Sequence, residues 1–477
     1  MARWLSLIIV TLASPAFAAD RPNIVFILAD DLGINDLGCY GRKDQKTPHL
    51  DKLAAEGMRF TNAYAACPVC SPTRAAILTG LHPARLRITT FLPGRGDAPS
   101  QKLLHPKIKQ QLPLEVKTLA EYLKDAGYAT ACIGKWHLGG ANFGPKAQGF
   151  DFVHAGKPNT MPSETEGGKG EFDLAAKANE FIVANKDRPF FLYLPHNTPH
   201  IPLAAKKELV EKYKDAFNPV YAAIIEEMDT SVGRVLAKLD ELKLTEKTIV
   251  VFTSDNGGLH VPELKDDPPT HNSPWRAGKG FVYEGGIRVP MVVRWPGVVK
   301  PGTTSDVPAI STDWTPTFLN AAKLKPDTDL DGVSLLPALE GQKIPERNLF
   351  WHIPHYTNQG SRPGGAMRSG NTSWKLVVNY EDGSNELYNL AADPGETRDI
   401  ANSRPAIAQG LRQQFDTWLK SVDAQTNEPN PAFDKELHRK LYRDTDVSVL
   451  KPKATAVQTA EPLRDWRKAI DEVVRKK

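Results

Sequence analysis

The chain has 477 residues, of which 41% are hydrophobic and 24% are charged, so its composition is that of a globular protein and its length predicts two domains of unequal size. A formal net charge of +4 is small for this length and does not favour a nucleic-acid partner. Four cysteines are too few for a disulfide-rich scaffold, although one disulfide is compatible with an oxidising compartment.

The N-terminus has the pattern of a secretory signal peptide. Arg3 precedes an apolar stretch from Trp4 to Leu12, and the small-residue segment Ala16-Phe17-Ala18 fits a cleavage site. The stretch is too short to span a bilayer, and no later segment is long and apolar enough to do so. We therefore expect cleavage after Ala18 and a soluble mature chain, either periplasmic or secreted.

Apolar runs of strand length alternate with helical patterns up to about residue 345. Continuous apolar runs are typical of strands buried on both faces, and amphipathic helices are expected between them, at 118–125 and 221–242. This alternation predicts an α/β fold, with a large mixed, mostly parallel sheet sandwiched by helices. The expected strands are Asn23–Leu28, Ala129–Ile133, Pro189–Leu194, Thr248–Phe252 and Pro290–Arg294.

The pattern changes in the last quarter of the chain. Trp374–Asn379 and Glu386–Asn389 are typical of short antiparallel strands, a helix is expected at 407–422, and Leu463, Trp466 and Ile470 recur at helical spacing. The expected organisation is a signal peptide (1–18), an α/β domain (19–345), a smaller α+β domain with a short antiparallel sheet (346–425), and an irregular tail with a terminal helix (426–477).

Each of the first four strands leads into a cluster of polar residues. In parallel α/β sheets ligands bind at the carboxyl ends of the strands, so four clusters at one edge predict a site there. No single cluster suffices, because an Asp pair after a strand also serves as a helix N-cap and a lone histidine is more often structural. The clusters are Asp30-Asp31, Gly134 to His137, His196 to His200, and Ser254 to Gly258.

Oxygen donors in these clusters indicate a metal site. Carboxylate and amide oxygens favour Ca²⁺ or Mg²⁺ over zinc, and a secreted location favours calcium. The expected ligands are Asp30, Asp31, Asp255 and Asn256.

The segment from Cys70 to Gly80 predicts a nucleophile at the start of a helix. Pro72 marks the expected start of the helix and Gly80 its end. Cys70 would then lie where free N–H groups favour an anion, and Arg74 is one turn further on. A Cys-x-x-Cys redox pair with Cys67 is the alternative, but a redox pair does not need the distant Asp, Lys and His clusters.

These motifs closely resemble the type I, formylglycine-dependent sulfatases of the alkaline phosphatase superfamily, and in particular secreted bacterial polysaccharide sulfatases. The family signature, Cys-x-Pro-x-Arg followed by Leu-Thr-Gly, is matched without a gap over 70–80. The resemblance extends, in the family's order, to Gly134–Gly139, Pro199–Pro202 and Gly278–Pro290, and it covers roughly residues 21 to 400. It implies an alkaline-phosphatase-like fold and sulfate ester hydrolysis.

The resemblance also implies the chemistry of the site. In that family a maturation enzyme oxidises the signature cysteine, here Cys70, to formylglycine (3-oxoalanine), whose hydrate attacks sulfur. An oxygen of the modified Cys70 would join the four expected ligands around Ca²⁺. A sulfate ester is an anion attacked by an oxyanion, so cationic groups must offset the negative charge.

Individual roles carry over to matching positions. Arg74 and Lys135 would steady the formylglycine hydrate, and Lys135 and Lys279 would neutralise sulfate oxygens. His200 would protonate the leaving alkoxide, because a sugar alkoxide is a poor leaving group, and His137 would assist release of the sulfate.

The expected substrate is a sulfated carbohydrate, with exo-acting cleavage at galactose or N-acetylgalactosamine units of a polysaccharide or glycan. Two alternatives stay open: a phosphonate or phosphodiester hydrolase of the same superfamily, and a non-catalytic glycan-binding protein on this fold. The segments Trp351–Gly360 and Arg85–Gln111 are candidate walls of the site. The candidate substrate contacts are His196, His352, His355 and Arg95.

Overall fold

A computed structural model describes residues 21–370 and 372–475 of the chain. The predicted signal peptide, residues 1–18, lies outside the described residues, so cleavage after Ala18 stays a prediction. Within those residues, no helix combines the length and the apolar character needed to cross a membrane.

The strands form a large sheet, a two-stranded parallel pair and a smaller antiparallel sheet. In chain order they are β1 (Asn23–Ala29), β2 (Met58–Phe60), β3 (Ala63–Tyr64), β4 (Ala129–Ile133), β5 (Phe152–His154), β6 (Phe190–Pro195), β7 (Thr248–Ser254), β8 (Met291–Arg294), β9 (Thr303–Ser305), β10 (Ala309–Ile310), β11 (Leu349–Ile353), β12 (Gly364–Arg368), β13 (Trp374–Asn379) and β14 (Asn385–Asn389).

Helices connect and cover these strands. In chain order they are α1 (Pro48–Glu56), α2 (Cys70–Thr79), α3 (Pro83–Leu86), α4 (Leu119–Asp125), α5 (Glu171–Ala184), α6 (Lys207–Lys212), α7 (Pro219–Glu241), α8 (Glu284–Ile287), α9 (Trp314–Ala321), α10 (Leu336–Leu339), α11 (Pro405–Ser421), α12 (Lys435–Tyr442), α13 (Ala456–Ala460) and α14 (Arg464–Arg475).

The large sheet has, in the described part of the chain, eight strands in the order β5-β4-β6-β1-β7-β8-β2-β9. The strands from β5 to β7 are mutually parallel, whereas β8 runs antiparallel to both β7 and β2. The expected mixed, mostly parallel sheet is therefore confirmed, and its five predicted strands begin and end within two residues of the expected positions.

Helices cover both faces of this sheet, because side chains alternate along its buried strands. On β1, Ile24, Phe26 and Leu28 share a hydrophobic core with side chains of α2, α4 and α9. Val25 and Ile27 point the other way and share a second core with α1, α5 and α7. All five are 0% exposed, and burying each such side chain contributes roughly 1.5–3 kcal/mol.

The smaller sheet follows in the order β11-β12-β13-β14 and is antiparallel throughout, as expected. Helix α11 packs on one face through Leu411 and Phe415. On the other face Trp351 is fully buried and its indole N–H donates to the Ala65 carbonyl at 2.8 Å, which ties this sheet to the segment that leads into α2.

The tail differs from the irregular structure that we expected up to about residue 460. It contains α12, whose first turn is capped by the Asp434 carboxylate accepting from the N–H groups of Glu436 and Leu437, and the short α13. Leu441 and Tyr442 of α12 are buried. A helix of eight residues carries too few apolar positions for its period to stand out in the sequence.

Candidate active site

The site forms at the carboxyl edge of the large sheet, where β4, β6, β1 and β7 end side by side. Asp30 and Asp31 follow β1, and Asp255 follows β7. Lys135 follows β4, and its ammonium Nζ lies 2.5 Å from Asp30 Oδ2. Lys279 comes from the loop before α8, and its Nζ lies 2.7 Å from Asp31 Oδ2. The strand-end clusters that we predicted to meet are therefore in direct contact.

Arg74 is fully buried beneath these groups. Its Nε and Nη2 donate to Asp255 Oδ2 at 2.9 and 2.7 Å, and its Nη1 donates to the Lys135 carbonyl at 3.0 Å. Such charge-assisted hydrogen bonds fix the guanidinium and the carboxylate in one geometry. Arg74 thus holds together the ends of β4 and β7 beside the first turn of α2.

Gly134 makes the turn after β4 possible. Its φ is +120°, and an added Cβ would lie 1.9 Å from the Pro195 carbonyl oxygen. That close approach allows the Lys135 N–H to donate to the same carbonyl at 2.8 Å. Two other residues of the site, Asp31 and His137, have φ values of 70° and 56°, a backbone region that non-glycine residues rarely adopt.

The expected metal ligands present oxygen atoms that have no hydrogen-bond donor. Asp30 Oδ1 and Asn256 Oδ1 are buried without a partner among the described residues, and Arg74 Nη2 is 3.7 Å from Asp30 Oδ1. The Asn256 amide donates to Asp31 Oδ1 at 2.8 Å, which leaves its own oxygen for another partner. Ligand atoms of Asp30, Cys70 and Asp255 lie within 4.8 Å of one another. This donor set fits Ca²⁺.

The charges in the site also favour a cation. Burial raises the pKa of Asp30, but Lys135 and its cationic neighbours outweigh burial and hold that pKa well below its usual range. Burial likewise opposes ionisation of Asp31, and Lys279 overcomes it, so that the pKa of Asp31 is lowered. Burial and the charge of Asp30 raise the pKa of Asp255 well above its usual range, against the pull of Arg74. A divalent cation would relieve this crowding of carboxylates.

Cys70 is the first residue of α2 and is 2% exposed. The helix begins two residues before Pro72, earlier than expected, and it ends as predicted at Gly80, whose φ of 70° is left-handed. Cys67 forms no disulfide with Cys70 or with the other described cysteines. Its backbone N–H donates to Thr73 Oγ1 at 3.1 Å, and burial raises the pKa of its thiol.

Both predicted catalytic histidines lie in this site. The Nδ1–H of His200 donates to the Ile201 carbonyl, and its Nε2 is 3.6 Å from Asp31 Oδ2. Burial, with a contribution from Lys279, lowers the pKa of His200 to about 3. His137 Nε2 lies 2.8 Å from the Leu92 carbonyl, and burial lowers the pKa of His137 to about 4.

A cavity of about 560 Å³ opens over these groups. Cys70, Lys135, His137, His200 and Lys279 all line it, so it joins the expected nucleophile, cations and acid. Its outer walls include two aromatic side chains, and residues of the expected 351–360 segment reach it. Those outer contacts are Phe91, Trp136, Asn358 and Gln359.

The four candidate substrate contacts lie elsewhere. His196 is 0% exposed, and its Nδ1 is 3.9 Å from Glu171. His355 is also buried and bonds Thr89 Oγ1 at 2.8 Å. His352 contacts the Tyr380 hydroxyl at 2.7 Å and lines a different cavity, of about 690 Å³, beside α11.

Arg95, the fourth candidate, donates to the Thr357 carbonyl at 3.1 Å and does not line the 560 Å³ cavity. The composition of two segments suggested three of these contacts, and the polar cluster after β6 suggested His196, but neither pattern reveals which side chains are packed inward.

Several cavity residues were not found from the sequence. Asn159 and Glu263 line the cavity but stand in loops without periodicity or a recognisable motif. Lys169 and Glu171 are 0% exposed behind the cavity wall, and burial raises the pKa of Glu171 to about 7. In the sequence, Lys169 and Glu171 stand beside three glycines, which is ordinary loop composition and does not indicate a site.

Comparison with known proteins agrees with this geometry. Residues 22–324 match the family described as sulfatase, and residues 275–424 match the C-terminal region of N-sulphoglucosamine sulphohydrolase. The chain is 34% identical to human arylsulfatase A over 475 residues, which cover 85% of this chain and 89% of that protein. It is 31% identical to N-acetylgalactosamine-6-sulfatase of Sus scrofa over 493 residues, covering 90% and 93%.

A solved structure is also similar. Ps i-CgsB, crystallised in complex with k-i-k-neocarrahexaose, superposes with a TM-score of 0.73 at 30% identity, over 85% of this chain and 94% of that one.

Proposed function

This chain belongs to the sulfatase family and is a sulfuric ester hydrolase, and we propose that it removes sulfate from a sulfated carbohydrate by means of Ca²⁺ and a formylglycine made from Cys70. One observation carries the proposal: Cys70 begins a helix in a cavity that Lys135, Lys279 and His200 also line. A helix N-terminus and two ammonium groups favour an anion at that position.

The residues that would hold Ca²⁺ include the two that each have a buried side-chain oxygen accepting no hydrogen bond from any described residue, Asp30 and Asn256, and their neighbours. Asp30, Asp31, Asp255 and Asn256 would bind Ca²⁺ together with the modified Cys70. When present, Ca²⁺ supplies positive charge and the formylglycine hydrate supplies the attacking hydroxyl. Arg74 is fixed by Asp255 and the Lys135 carbonyl, and it would keep the N-terminus of α2, with Cys70, close to that ion.

Lys135 and Lys279 bind and orient the sulfate. Both are buried and held by carboxylates, so their ammonium groups are in place before the substrate arrives. Preorganised charges of this kind contribute more than mobile ones, because they need no reorganisation as negative charge develops. Burial opposes the charge of Lys279, but Asp31 outweighs it and raises the pKa, so Lys279 stays cationic.

We assign the role of general acid to His200. Its Nδ1–H is engaged by the Ile201 carbonyl, so Nε2, on the side of Asp31, is the atom that would take up a second proton and pass it from the imidazolium to the leaving oxygen. His137 is anchored by its Nε2, and its Nδ1 has no partner in the part of the chain that the structure describes. Nδ1 is therefore the atom at which His137 can accept a proton.

A carbohydrate substrate is supported by the relatives and by the cavity. One similar relative is named for N-acetylgalactosamine and one similar structure holds an oligosaccharide. Trp136 and Phe91 offer faces on which a sugar ring can pack. We propose exo-action on sulfated galactose or N-acetylgalactosamine, with secretion or periplasmic location directed by residues 1–18 and maturation by a formylglycine-generating enzyme.

The test is sulfate release from a panel of defined sulfated sugars by protein matured with such an enzyme. Galactose and N-acetylgalactosamine sulfates should react, and an aryl phosphate diester should not. Release only from glucosamine or uronic-acid sulfates would contradict the assignment of the sugar, and faster turnover of the phosphate diester would contradict sulfate as the substrate.

A further inference from the structure

Outside its catalytic groups, the 560 Å³ cavity carries little positive charge. Three lysines line it, and two of them, Lys135 and Lys279, serve the sulfate. The third, Lys157, is paired with Glu166. The other lining side chains, the histidines apart, are apolar or neutral, with one exception, Glu263. The residues that line this cavity therefore offer no unpaired cation for a second anionic group.

Glu263 is held in place at this wall. Gln359, which also lines the cavity, donates from its Nε2 to Glu263 Oε2 at 2.5 Å. The Glu263 carboxylate is close enough to Lys279 to contribute to raising the pKa of that ammonium. A fixed carboxylate therefore stands near the cation that would bind the sulfate.

We propose that Glu263 is a specificity-determining residue that selects a sugar ring carrying one sulfate and otherwise neutral hydroxyl groups. A carboxylate accepts hydrogen bonds from hydroxyls but repels a second sulfate or a carboxylate on the adjacent carbon. Polysulfated and uronic-acid units would be rejected by the same charge. This inference rests on the proposed carbohydrate sulfatase activity.

The experiment compares two forms of the sugar that reacts best in the panel: one singly sulfated, the other with a second sulfate on the neighbouring carbon. For the wild type, kcat/KM should be at least about tenfold lower for the disulfate, the size expected for one like-charge contact at a protein surface. Glu263→Gln, which keeps the shape, should reduce the difference to about threefold or less. The exposed Glu246→Gln is the control and should leave the ratio unchanged.

Equal turnover of both sugars by the wild type, or an unchanged ratio in Glu263→Gln, would overturn the inference while leaving the sulfatase activity intact. Failure of the wild type to release sulfate from any sulfated sugar would instead refute the proposed function, and the inference with it.

A second feature, independent of Glu263, lies behind the part of the cavity wall that Asn159 forms. Lys169 is 0% exposed, and all the acceptors of its ammonium are neutral oxygens. Its Nζ donates to Oδ1 of Asn159 at 3.0 Å, to the Asn159 carbonyl, and to the Ile201 carbonyl at 3.0 Å. The Ile201 carbonyl also accepts from His200 Nδ1. One buried cation thus connects the histidine to a cavity-lining asparagine.

Burying a cation whose hydrogen-bond acceptors are neutral is costly, and burial lowers the pKa of Lys169 to about 8 even though the carboxylates of Asp30 and Glu171 favour its charge. A methionine of similar size would pack there without that cost. Lys169 instead links Asn159 to the Ile201 carbonyl through hydrogen bonds. It thereby restrains the carbonyl that orients the His200 imidazole. The geometry points to Lys169 as a positioning residue that holds His200 through Ile201.

The test uses the dependence on the leaving group. Protonation of the leaving oxygen is important for a sugar alkoxide, which is a poor leaving group, and hardly matters for 4-nitrophenolate. Lys169→Met should therefore lower kcat on the sugar sulfate by about tenfold or more. On 4-nitrophenyl sulfate it should lower kcat by about threefold or less. The ratio of the two rates does not depend on how much enzyme is folded. Lys169→Gln, which keeps an N–H donor for the carbonyl, should restore most of the ratio.

A double-mutant comparison completes the test. In a His200→Ala background, Lys169→Met should not change the ratio further, because the group that it positions is gone. Equal losses on both substrates, or additive losses in the double variant, would show that Lys169 is merely structural.

Discussion

Lys279 and Asp31 are 248 positions apart in the chain, yet the Lys279 ammonium donates to Asp31 Oδ2 at 2.7 Å in the buried floor of the cavity. The contact joins the loop before α8 to the end of β1, so the sheet edge and the loop are fixed together. The same ammonium lines the cavity, so under the proposed function the carboxylate that orients it would also determine where a sulfate oxygen binds.

Replacing Lys279 with methionine should lower kcat/KM for sulfate esters by about 10²- to 10³-fold, the usual effect of removing one preorganised electrostatic group. Steady-state kinetics on the best panel substrate checks this. Lys300→Met, at an exposed lysine, is the matched control and should behave like the wild type. A loss below about threefold in correctly folded Lys279→Met would contradict the role assigned to this ammonium.

Removal of the metal should destabilise the protein as well as inactivate it. Asp30, Asp31 and Asp255 crowd three carboxylates into one buried site, and Ca²⁺ at 100 times its Kd would contribute about 2.7 kcal/mol of stability. Thermal unfolding with EGTA, and again after Ca²⁺ is restored, measures this. Asp255→Asn should be much less sensitive to EGTA. A Tm that is the same with and without Ca²⁺ would mean that these oxygens hold no ion.

Trp351 should matter for the junction between the two sheets. Trp351→Phe removes the hydrogen bond to the buried Ala65 carbonyl and leaves that oxygen without a donor, which should lower the free energy of unfolding by about 1–3 kcal/mol. Urea unfolding measures this, with Val457→Ala, at a side chain 58% exposed, as the control. Equal stability of Trp351→Phe and the wild type would show that the contact is dispensable.

Stability should fall as the pH rises towards 8, in part because of Glu227 on α7. Its side chain is buried, and burial raises its pKa to about 7 from a usual value of 4.5, although the charge of Lys206 and the backbone N–H groups of Gly168 and Lys206 favour the ionised form. The folded state therefore holds the proton more tightly than the unfolded state. This contribution is complete below about pH 4.5 and is lost as the pH passes through about 7.

Glu227→Gln should abolish the part of the pH dependence of stability that comes from Glu227. Urea unfolding at about pH 5 and about pH 8 should show similar stabilities of variant and wild type at the lower pH, and a more stable variant at the higher pH. The quantity to compare is the difference in stability between the variant and the wild type. If this difference is the same at about pH 8 as at about pH 5, Glu227 titrates normally and the prediction is wrong.

Much of this architecture was accessible from the sequence, because continuous apolar runs and polar strand ends have only a few compatible arrangements. The run from Asn23 to Leu28 predicted a strand buried on both faces, and the two Asp residues after it predicted one side of the site. The parallel order of β4, β6, β1 and β7 then required the four clusters to meet at one edge.

The outer parts of the site could not be predicted in the same way. The segment 351–360 is rich in polar and aromatic types and predicted contacts from His352 and His355, yet His355 is buried against Thr89 and His352 lines a different cavity. Glu263 and Lys169 were missed because their positions depend on how long loops fold over the sheet, which no local periodicity encodes. Burial of a loop side chain is a tertiary property.

The central claim is that activity depends on an aldehyde at position 70. The most direct measurement is mass spectrometry of the tryptic peptide 60–74 from protein co-expressed with a formylglycine-generating enzyme, paired with sulfate release by the same sample and by Cys70→Ala. We predict that the peptide carries formylglycine and that sulfate is released only by the matured wild type. Sulfate release by Cys70→Ala, or a fully matured protein that releases sulfate from none of the sugars or aryl sulfates, would contradict the account.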